Sequence, residues 1–324
     1  QPSELKRTPS MKLTFSTLAA VIFASTAAAQ TTVQSCDRTV TFDTPPQAAI
    51  SNDVNLTEMM LVLGLADRMV GYTGISGWKT LDEEMTAGVE ELPELSALYP
   101  TKEVLIGADA DFFFAGWNYG MQVGGAVTPT RLAEFNIPTL VLTESCVHMD
   151  KTVARANINL LYQDIEKLGA IFDKREKAAA LVADWQARMA AISAKTAKQE
   201  PQKVFLYDSG EDKPFTSGRY AMPDAMIRAA GGRNIMADLA ASWATTSWES
   251  VASANPDFII LLDYQKANGA NELQQFLEQH PLMKYTTAVK NKRYLKLKYA
   301  ELTPGPANIP AIERLASALY PELF

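Results

Sequence analysis

From residue 55 onward, short apolar runs alternate along the chain with apolar stripes spaced three and four residues apart. Residues 55–63 (NLTEMMLVL) predict a short helix stopped by Gly64, and residues 69–72 (MVGY) a strand. A helical turn over 103–108 precedes the buried strand 111–115 (DFFFA), and a helix over 131–135 precedes a strand over 139–142, after Pro138. Apolar residues at Ile158, Leu161, Ile165, Leu168 and Phe172 place a stripe on one helix face. A second, longer stripe uses Ala178, Leu181, Val182, Trp185, Met189 and Ile192 and runs to about Ala197. The alternation then resumes, with strands over 203–208, 257–262 and 293–297 and helices over 222–230, 272–278 and 309–319. Strands alternating with helices predict an α/β protein with a mainly parallel sheet. The long second helix is read as the connection between two lobes; the competing reading packs it within a single domain.

A short internal echo supports two related halves. The stretch from Glu103 to Asp111-Phe112 resembles that from Glu249 to Asp257-Phe258. In both, a glutamate stands eight residues before Asp-Phe and an apolar strand, and Ala108 and Ala254 coincide. The expected boundaries are a leader and signal peptide over 1–29, an N-terminal lobe over 30–172, the linking helix over 173–198 and a C-terminal lobe over 199–324.

The first residues read as a secretory signal. Lys6, Arg7 and Lys12 precede the apolar stretch 13–24, and Ala27-Ala28-Ala29 suit a signal peptidase, with Gln30 as the mature start. The apolar stretch is short for a bilayer span. The segment 33–35 ahead of Cys36 is a poor lipidation signal. The ten residues ahead of Met11 are set aside. The formal net charge is −7, and removing the leader makes it more negative. An acidic chain without a basic cluster argues against nucleic acid as a partner. Outside the cytoplasm the two cysteines, Cys36 and Cys146, are expected to pair; two buried free thiols are the alternative. A bridge would close a loop worth about 4–5 kcal/mol in the chain-entropy model.

Several pieces, in this order, resemble the periplasmic binding proteins for ferric siderophores and cobalamin. They are 55–59 with 63–71, then 103–114, 230–235, 247–249, 255–257, 280–281 and 288–294. The opening 36–42 (CDRTVTF) and the second cysteine resemble the branch proposed to bind a deazaflavin coenzyme precursor. The resemblance implies two Rossmann-like lobes joined by one long helix, with the ligand in the cleft between them and modest closure on binding. It also implies delivery to an ABC permease in the inner membrane, with Glu103 and Glu249 meeting arginines on the permease. The ordinary alternative for each glutamate is a solvated side chain favoured by the helix dipole.

A cleft ligand would touch loops at the carboxyl ends of strands. The candidate contacts are Tyr72, Trp78, Trp117, Tyr119, Glu144, Tyr207, Arg219, Trp243, Trp248, Tyr264 and Tyr299, with Asn118, His148 and Glu301 nearby. Flat aromatic walls suit a planar or ring-shaped ligand, and a guanidinium suits a carboxylate or phosphate. Trp117, Tyr119 and Trp243 are the preferred contacts. The other reading packs several of these aromatics beneath loops. With His148 and His280 as the only histidines, a site for a bare transition metal is not expected, nor a resident cofactor. No G-x-S-x-G elbow, Walker loop or dinucleotide-binding turn stands in a suitable context, so an enzyme is not expected. The function expected is capture of a ferric siderophore, corrinoid or similar molecule by a periplasmic monomer. A secreted α/β enzyme and a ligand-sensing domain without transport are the alternatives.

Overall fold

The computed structural model describes residues 30–77, 79, 83–150, 152, 154–265 and 269–324. The proposed leader over 1–29 and Trp78 lie outside the described residues. An antiparallel hairpin, β1 (Thr31–Ser35) and β2 (Arg38–Phe42), opens the fold. Its turn carries Cys36, which is bonded to Cys146 across 110 positions.

The first sheet holds β3 (Ala49–Asn52), β4 (Met69–Thr73), β5 (Glu94–Ser96), β6 (Phe112–Trp117), β7 (Gly120–Met121) and β8 (Thr139–Val141). All of its pairings are parallel. They run β5-β4-β3-β6, and both β7 and β8 pair with β6. The second lobe places β9 (Gln202–Tyr207), β11 (Gly232–Asn234), β13 (Phe258–Asp263) and β14 (Tyr294–Lys298) in a parallel sheet of order β11-β9-β13-β14. Between them in sequence, β10 (Phe215–Ser217) and β12 (Trp243–Thr245) form an antiparallel ribbon.

The two sheets share one topology. In chain order β3, β4, β6 and β8 occupy spatial positions 2-1-3-4, and β9, β11, β13 and β14 repeat that order. The internal echo maps onto it. Thr101 accepts from Val104 N at the start of the helix Lys102–Gly107, and Ser247 accepts from Ser250 N at the start of the helix Trp248–Ala254. Asp111, entering β6, accepts from Gln47 N and Ala48 N just ahead of β3; Asp257, entering β13, accepts from Lys203 N on β9. In each lobe the repeated aspartate therefore holds the third strand beside the first.

Residues alternate along each inner strand to divide the core into layers, as expected of parallel strands covered on both faces. Phe112 and Phe114 of β6, Val204 and Leu206 of β9, and Phe258, Ile260 and Leu262 of β13 enter one central cluster. Phe113, Ala115 and Trp117 face an outer layer of the first lobe. Phe205, Tyr207, Ile259 and Leu261 face the outer layer of the second.

The helix Arg175–Thr196 lies between the two sheets in sequence and is roughly 33 Å long at the α-helical rise. It adds Ala178, Val182, Trp185 and Ile192 to the central cluster. The lobes are thus welded through a shared apolar layer, which favours small adjustments over a wide swing. Buried polar contacts reinforce the seam. Asp224, fully buried, receives Arg155 at 2.6 and 2.8 Å, Arg228 at 3.3 Å and Asn234 Nδ2 at 3.1 Å. Asn55 donates to Pro304 O at 2.7 Å, and Ala156 N donates to Arg219 O at 2.9 Å.

Candidate functional site

The carboxyl ends of both sheets face a cavity of about 270 Å³. Asn118, Tyr119 and His148 line it from the first lobe; Asp208, Phe215, Ser242, Trp243, Leu262, Tyr264, Tyr299 and Thr303 line it from the second. This is where parallel α/β sheets present loops to ligands, beside the point where strand order reverses. A second cavity of about 170 Å³ shares Tyr264 and Tyr299 and adds Val54, Glu58, Lys79 and Met85 from the first lobe.

Two aromatic pairs form walls. Phe215 and Trp243, brought together by the β10–β12 ribbon, stack with centroids 6.0 Å apart and 23° between planes. Tyr264, just after β13, and Tyr299, just after β14, lie 5.9 Å apart at 30°. Asp208 sits between the pairs: its backbone N–H donates to Phe215 O at 3.1 Å, and its carboxylate accepts from Tyr264 OH at 3.0 Å. Ser209 Oγ also donates to it, at 2.7 Å. Burial pushes the Asp208 carboxyl up from the usual aspartate range.

On the other side of the tyrosine pair stands Asp53, the residue after β3. Its φ of +77° is a conformation that costs a non-glycine residue free energy. It accepts from Tyr299 OH at 3.0 Å, from Val54 N at 2.6 Å and from Lys79 Nζ at 2.5 Å. The Lys79 ammonium lies 4.2 Å from the centroid of the Tyr299 ring. Desolvation lowers the Lys79 pKa, opposed by Asp53. Burial raises the hydroxyl pKa of Tyr119 and Tyr299 well above 10, and nearby acids add to it.

Tyr119, Trp243, Tyr264 and Tyr299 therefore meet at the cavity, with Asn118 and His148 beside them. The other expected contacts are elsewhere. Trp248 and Tyr207 are core, with ring centroids 5.2 Å apart in the outer layer of the second lobe, and Trp248 Nε1 donates to Glu211 O at 2.6 Å. Trp117 points into the outer layer of the first lobe, near Cys36 and Arg38. Tyr72 belongs to the central cluster and edges a shallow depression with Glu83 and Glu90. For Tyr72, Trp117 and Tyr207 strand alternation decides the placement, since a side chain on a strand points to one face or the other. Trp248 instead enters the core from the first turn of the helix Trp248–Ala254.

Arg219 donates to Asp238 O at 2.9 Å and does not line the cavity. Glu144 lies in the lobe seam, accepting from Met222 N at 3.1 Å, and burial pushes its carboxyl up to about 8. Asp208, Phe215, Ser242, Leu262 and Thr303 were not anticipated as contacts. Asp208 carried the best signal, since it is the polar residue ending an apolar strand. Among the described residues no group of three histidine, cysteine, aspartate or glutamate side chains is placed to hold a metal ion. None of the described helices is long and apolar enough to cross a membrane.

A family model described as periplasmic binding protein matches residues 126–299. Over 289 residues the chain is 23% identical to YvrC of Bacillus subtilis (strain 168), an uncharacterized ABC transporter substrate-binding lipoprotein, covering 88% of this chain and 83% of the relative. A periplasmic binding protein from Veillonella parvula dsm 2008 matches with a TM-score of 0.80 and 27% identity, over 91% of this chain and 99% of that one. A protein from Saccharomonospora viridis DSM 43017, described as an ABC-type Fe3+-hydroxamate transport system, matches with a TM-score of 0.76 and 24% identity, over 89% and 98% of the two chains. The chain belongs to the periplasmic binding protein family. Its family and these neighbours are substrate-binding proteins, not enzymes.

Proposed function

We propose that, as a member of this family, the chain captures a small solute between its lobes in the periplasm and hands it to an ABC permease. The observation that carries this reading is the cavity at the carboxyl ends of both sheets, walled by Tyr119 from one lobe and by Trp243, Tyr264 and Tyr299 from the other. Rings with polar edges suit a metal chelate or a cofactor-like molecule such as a ferric siderophore or corrinoid. The iron-hydroxamate description of the Saccharomonospora viridis neighbour supports that class.

Docking on the permease falls to Glu103 and Glu249. Each is exposed in the first turn of a helix with a side-chain N-cap, at equivalent places in the two lobes. Separated carboxylates of this kind orient a partner and speed encounter more than they add affinity. With Glu103→Ala and Glu249→Ala combined, uptake by cells carrying the importer is expected to fall at least about tenfold while solute affinity of the purified protein is unchanged. Unchanged uptake would overturn the docking assignment. Native mass spectrometry of protein recovered from its source should show a bound small molecule; a chain that never carries one would overturn solute capture.

A further inference from the structure

The lobes carry acids at matching places, and among the described residues only one is paired with a cation. Asp53 follows β3 and Asp208 follows β9, the first strands of two sheets with the same order. Each accepts a hydrogen bond from one tyrosine hydroxyl, Tyr299 for Asp53 and Tyr264 for Asp208, both at 3.0 Å. The two tyrosines lie against each other. At Asp53 the arrangement is completed by the Lys79 ammonium, touching the carboxylate and lying over the Tyr299 ring. At Asp208, among the described residues, no basic side chain pairs with the carboxylate, and no lysine or arginine lines the cavity beside it. The side chain is 5% exposed. Its surroundings are instead Tyr264, Phe215 and Trp243, whose π-faces attract cations.

We infer that the solute presents a positively charged group, an alkylated or protonated amine, to Asp208 within this aromatic enclosure, as Lys79 does to Asp53 and Tyr299. The inference rests on the solute-capture reading and narrows it to ligands with a cationic group. A carboxylate or phosphate aimed at this end of the cavity would meet Asp208 without a countercharge and bind poorly.

Three water-soluble probes of matched shape test the charge preference by titration calorimetry on the full chain: choline, its neutral carbon analogue 3,3-dimethylbutan-1-ol, and the anion 3,3-dimethylbutanoate. Choline is expected to bind at least about tenfold more tightly than the neutral alcohol, and the anion more weakly still. Asp208→Asn should bring choline and the alcohol to within about twofold of each other. Trp243→Ala, which leaves the acid in place, should weaken choline while retaining the preference for it over the alcohol. If Asp208→Asn fails to fold, the Trp243→Ala series and the wild-type ranking decide the matter. Equal binding of choline and the alcohol, tighter binding of the anion, or no saturable choline binding up to about 10 mM overturns the inference. An anionic solute found by native mass spectrometry would also overturn it while leaving solute capture standing.

Discussion

Asp53 and Asp208 end equivalent strands, yet they stand in opposite electrostatic states. Asp53 is neutralised within the protein by Lys79, caps the helix Val54–Val62 and ties the lobes through Tyr299. Asp208 has hydroxyl donors and aromatic neighbours but, among the described residues, no ammonium. The first arrangement serves the fold, because a buried carboxylate with its ion pair and hydrogen bonds holds a fixed geometry. The second, on the inference drawn above, leaves attraction for a cationic solute. One topology used twice thus places two equivalent aspartates in different surroundings, and among the described residues the difference lies in one lysine.

The largest break in this comparison should come from Lys79→Met. It strands the Asp53 carboxylate beneath Tyr299 and is expected to cost about 3–5 kcal/mol in urea unfolding. Adding Asp53→Asn should recover part of that loss; a double variant no more stable than the single one would show that the pair is not coupled. Next comes the disulfide, which fastens the hairpin turn to the segment 143–148 bearing Glu144 and His148. Cys36→Ser with Cys146→Ser should destabilise by about 2–5 kcal/mol. It should also weaken binding if His148 is displaced, which calorimetry would detect.

A third, smaller effect is a pH slope from Glu144. Its carboxyl titrates near 8 in the fold against 4.5 ordinarily. Between those values the native state holds a proton that the unfolded chain has lost. This contribution to stability is therefore complete below about pH 4.5, declines as pH rises and levels off above about 8, with a slope of at most about 1.4 kcal/mol per unit. Glu144→Gln should flatten that slope in melts across the window; an unchanged slope would assign it to other groups. The smallest effect should be Asp208→Asn on stability without solute, within about 1 kcal/mol of wild type. A large loss there would mean that Asp208 is as structural as Asp53.

Much of the fold was legible from local pattern. The apolar runs at β6 and β13 and the three-four stripe of the helix Arg175–Thr196 are strong periodic signals. The repeated Glu–Asp-Phe spacing pointed to two similar halves, and both aspartates perform the same strand-fastening task. Two strands that complete the shared topology were not legible. β3 reads AISN, with two polar residues fully buried, and β11 reads GRN. Such short stretches carry no two-residue alternation, and their strand state comes from the strands they pair with, β4 and β6 for β3 and β9 for β11.

The chain's own order of residues determined that it forms alternating strands and helices, that its halves are related, and which residue types stand at strand ends. Those outcomes depend on periodicity and on caps within a few positions. Tertiary structure alone decided that Trp243 faces the cleft while Trp248 fills a core, and that Lys79 reaches Asp53 while, among the described residues, nothing basic pairs with Asp208. Side-chain direction and charge pairing are properties of surfaces meeting across long sequence separations, and local propensity carries no record of them.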